Sequence, residues 1–352
     1  MPDWTEKSLA ELLTPEQLRQ ILAAIADIRV VLIGDLGLDA YWKADLTRSE
    51  LSRETPHFPL PIIEERYAPG ASGNVAANLA ALMPRTIRVI GTAGPDWRWE
   101  VLRQELSCRG IDCAGVAVYP GRVTNAYVKP YRRGLSAVEY EDPRLDFTNY
   151  TPQPAELDAL LIAELDRAAA AADILCVSDQ FSCGCVTEAV RAEINSLAAQ
   201  GLPVVVDSRY RIGQFRGCIL KPNEFEGLTA LGREAGGSRP ELAELAAAAC
   251  ELARRTAAKV CLTLGDRGCL VTAADESPTH LPAAPAEPPL DICGAGDTFL
   301  AALACSLATG ADLTAAAVVA SLASGVTVRK IGQTGTASRE EILAAGRQIR
   351  EA

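Results

Sequence analysis

The run Asp291-Ile-Cys-Gly-Ala-Gly-Asp297 leads directly into Thr298-Phe-Leu-Ala-Ala-Leu-Ala, the start of an apolar helix. The turn Gly294-Ala295-Gly296 carries almost no side chain, so its backbone amides can come close to a ligand. Where a helix begins, the first amides lack intrahelical acceptors and the positive end of the macrodipole faces the same point. Together these make an anion site out of backbone. Asp297 stands on its rim. An acid beside a phosphate cradle is unfavourable without a task, and removing the proton from a hydroxyl that attacks the phosphate would be one. The competing reading is a helix-capping Asp.

Other residues carry chemistry of the same kind. Asp39 lies a few residues beyond the strand-like run Ile28-Arg-Val-Val-Leu-Ile33-Gly34. Ligands of open parallel sheets collect at such strand ends. Asn223 and Glu226 are three apart at the start of a short helical segment, which is the spacing of a capping box. Their amide and carboxylate oxygens also suit a hard cation, usually through water. Eleven cysteines sit mostly inside apolar runs, as at Cys176 and Cys261, and read as small buried hydrophobes. With two histidines in the chain, a zinc cluster is not expected.

These residues need elements to position them. Thr14-Pro15-Glu-Gln17 predicts a capped helix in the lead-in over residues 1–27. Residues 28–33, 86–90, 174–178, 204–207, 218–220, 260–264 and 269–272 read as strands. Residues 71–82, 97–109, 155–172, 186–200, 239–257, 296–309, 313–328 and 338–351 read as helices. Strands alternating with helices imply a three-layer α/β/α sandwich on a mostly parallel central sheet. The segments around 41–66 and 115–142 are extended without intervening helices. They predict a small β lid, built from about 36–66 and 115–142, on a single domain spanning 1–352.

Composition narrows the function. A net charge of −11 argues against nucleic-acid binding and against an anionic membrane surface. No stretch of about 18 apolar residues suggests a membrane span, and the first residues lack the pattern of a signal peptide. The expected compartment is the cytoplasm.

On these motifs the chain resembles the ribokinase-like (PfkB) carbohydrate kinases. Asp291-x-x-Gly-Ala-Gly-Asp297-Thr is similar to that family's C-terminal signature, and Pro69-Gly70-Ala-Ser-Gly-Asn74-Val-Ala-Ala-Asn78 to its N-terminal glycine signature. Asn223-Glu-Phe-Glu226 resembles the Asn-x-x-Glu element, and Thr263-Leu-Gly265-Asp-Arg-Gly268 the glycine element of the nucleotide site. The resemblance implies ATP-dependent phosphorylation of a sugar hydroxyl, with Asp297 as base and the Gly294–Gly296 amides on the phosphoryl charge. It implies that Asp39, Gly70 and Asn74 line the sugar, with Asn78 either there or in packing. Asn223 and Glu226 would organise Mg²⁺ through water. Thr263, Gly265 and Gly268 would border ATP, with the adenine against residues 320–325. Asp291 and nearby backbone would hold a monovalent cation such as K⁺. A homodimer joined through the lid is implied as well.

Within the family the likeness is strongest to kinases of D-glycero-D-manno-heptose 7-phosphate, through Gly34-Asp-Leu-Gly-Leu-Asp-Ala-Tyr41-Trp, Leu51-Ser-Arg-Glu-Thr-Pro56, Val177-Ser-Asp179 and Lys330-Ile-Gly332. The chain departs from them at Ala71, where they have Gly, and at Glu50, where they have a basic residue; no nucleotidyltransferase segment follows, as it does in the bifunctional heptose enzymes. A Glu beside a phosphate would repel it, so the acceptor stays open between heptose 7-phosphate and another small sugar, a keto-deoxy sugar acid or a nucleoside. Two other classes compete with this reading. One is a sugar- or nucleotide-binding regulator without turnover. The other is a nicotinamide oxidoreductase, which requires Gly-x-Gly-x-x-Gly where this chain has Gly34-Asp-Leu-Gly37-Leu-Asp39.

Overall fold

Val30-Val-Leu-Ile33 is apolar at consecutive positions, so both faces of its strand must be covered. The computed structural model, which describes residues 4–136, 138–233, 239–332 and 334–351, places this strand inside a ten-stranded sheet. Residues 1–3 and Ala137, which fall within the expected lead-in and lid, lie outside the described residues. Arg29–Gly34 pairs in parallel with Ile174–Asp179 on one side and Thr86–Ala93 on the other. Beyond Ile174–Asp179 follow Val204–Ser208, Ile219–Leu220 and Lys259–Thr263, all parallel. Cys269–Thr272 and Thr279–Leu281 follow in antiparallel pairings, and Thr5–Glu6, parallel to Thr279–Leu281, closes that flank.

Helices cover both faces, and each face has its own core. One joins Leu79, Leu300, Leu303 and Val319 from the helices Ser72–Ala81, Ala295–Ala308 and Leu313–Thr327. The other joins Leu161, Ile194 and Leu252 from Ala155–Ala169, Glu188–Ala199 and Leu242–Thr256. The three-layer expectation holds. The Thr14–Gln17 capping box forms as read, with Thr14 N donating to Gln17 Oε1 at 2.9 Å. All eleven cysteines are free, and Cys176, Cys185, Cys218, Cys261, Cys269 and Cys305 are buried. No helix among the described residues is long and apolar enough to cross a membrane.

A second sheet grows out of the first. Gly34 passes through Asp35 into Leu36–Asp45, which pairs antiparallel with Ile62–Ala71 and parallel with Asn125–Arg133. Glu139–Glu141 and Leu145–Phe147 add to the Asn125–Arg133 strand. Two segments of the expected lid differ. Asp112–Val118 is the edge strand of the large sheet, parallel to Thr86–Ala93, because it follows a helix that returns the chain to that edge. Residues 46–61 form the connection between the far ends of two long strands, not strands themselves.

Small-sheet register decides what faces the active-site turn. Asp39 opposes Ala68 and Tyr127, and Tyr41 opposes Arg66 and Lys129. Directly paired residues share a face and alternate residues repeat it. Asp39, Tyr41, Arg66, Gly70, Tyr127 and Lys129 therefore lie on one face.

Candidate active site

Ala295–Ala308 begins where the sequence places the turn, with Gly294 at the N-cap in the left-handed region (φ 79°). A Cβ on Gly294 would lie 2.8 Å from Asn74 Nδ2 and 3.0 Å from Thr334 Cγ2. Conformation and packing thus both require glycine there. Ala295 N donates to Ile292 O at 3.2 Å, which closes the turn and removes that amide from the expected set. Among the described residues the amides of Gly294, Gly296 and Asp297 have no acceptor.

Asp297 lies at the floor of this cleft, enclosed by protein with one face reachable by solvent. Asn74 Nδ2 donates to its Oδ2 at 2.6 Å. Burial pushes the Asp297 carboxyl up to about 7, against the Asn74 hydrogen bond, with Asp207 pushing up and Lys221 pulling down. Asn74 was expected on the sugar, and the structure shows its amide committed to Asp297. Behind it Asn78 donates to Asn74 O at 2.9 Å and accepts from Thr298 Oγ1 at 2.7 Å. Asn78 is the inner link of this network.

Asp39 is buried on the inner face of the small sheet. Burial raises its pKa, opposed by Lys129 and Arg144. A Cβ on Gly70 would lie 2.9 Å from Asp39 Oδ1, so Gly70 is the space into which that carboxylate fits. Ala71, next in the chain, holds φ 48°, ψ −129°, a conformation that suits glycine. Glu50 is exposed on the connection at the distal end of the small sheet. Asp39 and Asp45 are six residues apart on one strand, roughly 20 Å at strand rise. Glu50 follows the end of that strand away from Asp39.

Asn223 and Glu226 form the capping box: Asn223 N donates to Glu226 Oε2 at 2.8 Å, and Glu226 N to Asn223 Oδ1 at 2.9 Å. The capping-box reading is thus the one formed here, and it engages Glu226 through Oε2. Burial and Asp207 raise the Glu226 pKa, while Lys221 lowers it. Thr263 Oγ1 donates to Pro222 O at 3.2 Å, tying the Lys259–Thr263 strand to this helix start. Gly265 is left-handed (φ 62°). A Cβ on Gly268 would collide with Leu281 O at 2.0 Å, so that glycine answers to backbone packing. A cavity of about 530 Å³ opens on Leu322 and Gly325, within the helix stretch expected to face adenine, and on Ala284–Glu287; Thr263, Gly265 and Gly268 do not line it.

Asp291 spends both oxygens on backbone. Oδ1 accepts from Cys293 N at 3.0 Å and Oδ2 from Gly332 N at 2.9 Å, while its own N donates to Val328 O at 2.8 Å. It clamps the turn to residues 328–332.

Sequence reasoning missed two groups. Lys221 and Asp207 form a buried ion pair, Nζ to Oδ2 3.1 Å. Burial, the largest influence, would lower the Lys221 pKa, but Asp207, Glu226 and Asp297 outweigh it and the amine stays charged. Its Nζ lies 4.0 Å from where a Cβ on Gly296 would be. Lys221 stood next to a recognised element, and a cation beside Pro222-Asn223 was the only available signal.

Residues 30–340 match the family model described as pfkB family carbohydrate kinase. The chain belongs to that family. It is 32% identical over 339 residues to the bifunctional protein HldE of Mesorhizobium japonicum, covering 94% of this chain and 64% of that protein. It is 34% identical over 309 residues to HldE of Nitrobacter winogradskyi, covering 86% and 60%. The chain thus spans somewhat under two thirds of the curated relatives it matches. Arabidopsis thaliana ribokinase, solved with ribose and ATP, superposes with TM-score 0.67 at 18% identity over 91% of this chain and 99% of that one. Escherichia coli phosphofructokinase-2, solved with potassium, gives TM-score 0.70 at 20% identity over 92% and 99%. Both share the fold. A dinucleotide turn is absent from the strand end where it would be needed: Gly34 and Asp35 run on into the Leu36–Asp45 strand rather than into a helix.

Proposed function

We propose that this kinase transfers the γ-phosphoryl group of ATP to a hydroxyl of a small sugar or sugar phosphate, with heptose 7-phosphate the first candidate because the HldE relatives are similar over nearly the whole chain. The observation that carries the reading is Asp297, with a carboxyl pKa of about 7, beside unpartnered amides at a helix N-terminus. A base titrating near neutral pH can accept a hydroxyl proton as the hydroxyl attacks, and the amides can hold charge growing on the phosphoryl oxygens.

Each neighbour then has a task. Asn74 keeps Asp297 in one orientation. Lys221 offsets the charge of Asp207 and Asp297 and faces the phosphoryl side. Glu226 and Asn223 fit a hydrated Mg²⁺, which when bound would neutralise charge on the phosphates. Asp291 and nearby backbone would hold a monovalent cation such as K⁺, steadying the turn. The small sheet acts as a lid that keeps water from the acceptor. Its surface leaves Phe58, Leu60, Ile62 and Ile63 exposed, which favours a homodimer joined there. An ATP-to-ADP assay over an acceptor panel tests the reading. Asp297→Asn should lower kcat by roughly 10²–10⁴ while an ATP analogue still binds; near-normal turnover would remove Asp297 as the base. A regulator without turnover would bind ATP and sugar and release no ADP.

A further inference from the structure

The face of the small sheet that meets the active turn carries more positive charge than its own carboxylates balance. Lys129 Nζ lies 3.4 Å from Asp39 Oδ2 and 3.3 Å from the Tyr41 hydroxyl, and 4.7 Å from the centre of the Tyr41 ring. Charge-assisted contacts of this type normally close to about 2.7–2.9 Å. Lys129 is thus a largely enclosed ammonium, its side chain 15% exposed, with three donors and only long contacts for them. Arg66 lies over the same Tyr41 ring, its guanidinium carbon 3.9 Å from the centre, and donates to Gly332 O at 3.3 Å. Among the described residues Arg66 meets no carboxylate. Arg144 is balanced by Asp146, at 2.6 and 2.7 Å. Two cations, Lys129 and Arg66, therefore converge on one ring, and among the described residues the one carboxylate within ion-pair reach of either is Asp39, at Lys129.

A neutral polyol would not use this surplus. Its hydroxyls would compete with Lys129 for Asp39, and both cations would be desolvated on lid closure without a partner, which is costly. An acceptor with an oxyanion at the end away from the reacting hydroxyl would take up Lys129 and Arg66 and release Asp39 for its hydroxyls. We infer that Lys129, seconded by Arg66, selects an acceptor bearing a phosphate or carboxylate group. This rests on the kinase reading above and names the class of its acceptor.

The test is equilibrium binding and steady-state kinetics on matched pairs: fructose 6-phosphate against fructose, heptose 7-phosphate against the free heptose, and gluconate against glucose. Wild type, Lys129→Met, Lys129→Arg and Arg66→Met are compared. In the wild type the charged member of at least one pair should bind at least about tenfold tighter, with the advantage falling as salt rises. A preference in the phosphate pairs alone identifies a sugar phosphate, and one in the gluconate pair alone a sugar acid. Lys129→Met should shrink the charged-to-neutral ratio at least about tenfold, Arg66→Met about threefold, and Lys129→Arg should retain most of it. A merely structural Lys129 would weaken both members together and leave the ratio unchanged. Arg66 is exposed, so its variant keeps the test valid should Lys129→Met destabilise Asp39. The inference is overturned if pairs bind within twofold in the wild type, if no charged sugar binds, or if the ratio survives both Met variants. Charged sugars that bind but are never phosphorylated would instead defeat the kinase reading.

Discussion

Asp297 ties stability to activity within one residue. Its folded pKa of about 7 lies above the unfolded value near 3.9, so the fold is favoured by protonation. That contribution is complete below pH 4 and is lost as pH rises through 7. Asp297→Asn should therefore melt higher than wild type at pH 8, by about 1–3 kcal/mol once solvent access to one face is allowed for, and the gap should close by pH 4. Thermal unfolding at the two pH values checks this; an unchanged gap would mean the carboxyl is not perturbed. Activity runs the other way, because the base must be deprotonated: kcat/KM should rise with pH through an inflection near 7. The Asn74 amide holds that inflection down through its 2.6 Å hydrogen bond, so Asn74→Ala should move the acid limb upward. A limb that stays in place would assign the inflection to another group.

At the scale of elements, the glycine signature is where a strand becomes a helix. Gly70 leaves room for Asp39, and Ala71 starts the helix in a left-handed conformation. An alanine in that region costs about 1 kcal/mol or more, so Ala71→Gly should raise stability by about 1 kcal/mol, read from chemical denaturation. Gly70→Ala acts oppositely. Its methyl would sit 2.9 Å from Asp39 Oδ1, and acceptor KM should rise at least about tenfold with ATP KM held. Equal loss on both substrates would point to misfolding of the element. The helix starting at Asn223 shows why local pattern was ambiguous there. A capping box and a metal-organising pair use the same two side chains, and the structure shows the cap.

Across the whole molecule, the two sheets are continuous through Asp35, which accepts amides of Gln180, Phe181 and Cys185 at 2.7–2.8 Å. The lid is therefore rooted in the central strand, and its outer surface is where a second copy would add cover. Sedimentation should give a dimer, and a paired Phe58→Glu, Ile63→Glu variant a monomer; a wild-type monomer would remove the lid from assembly.

Local rules reach far in this chain because its motifs are short-range. The anion turn, the two capping boxes and the alternation of strand and helix each depend on residues within a few positions, where dihedral preference and unsatisfied amides decide the outcome. Tertiary structure alone decided which distant groups meet. Asn74 reaches Asp297 across 223 positions and Lys129 reaches Asp39 across 90. Lys221 comes to Gly296, and Asp291 to Gly332, by the same folding of crossovers onto one end of the sheet. It also decided that Asp112–Val118 joins the large sheet, since an extended segment looks the same whichever edge it pairs with. Periodicity tells a chain what to form; which charges end up sharing a cleft follows from how the layers pack.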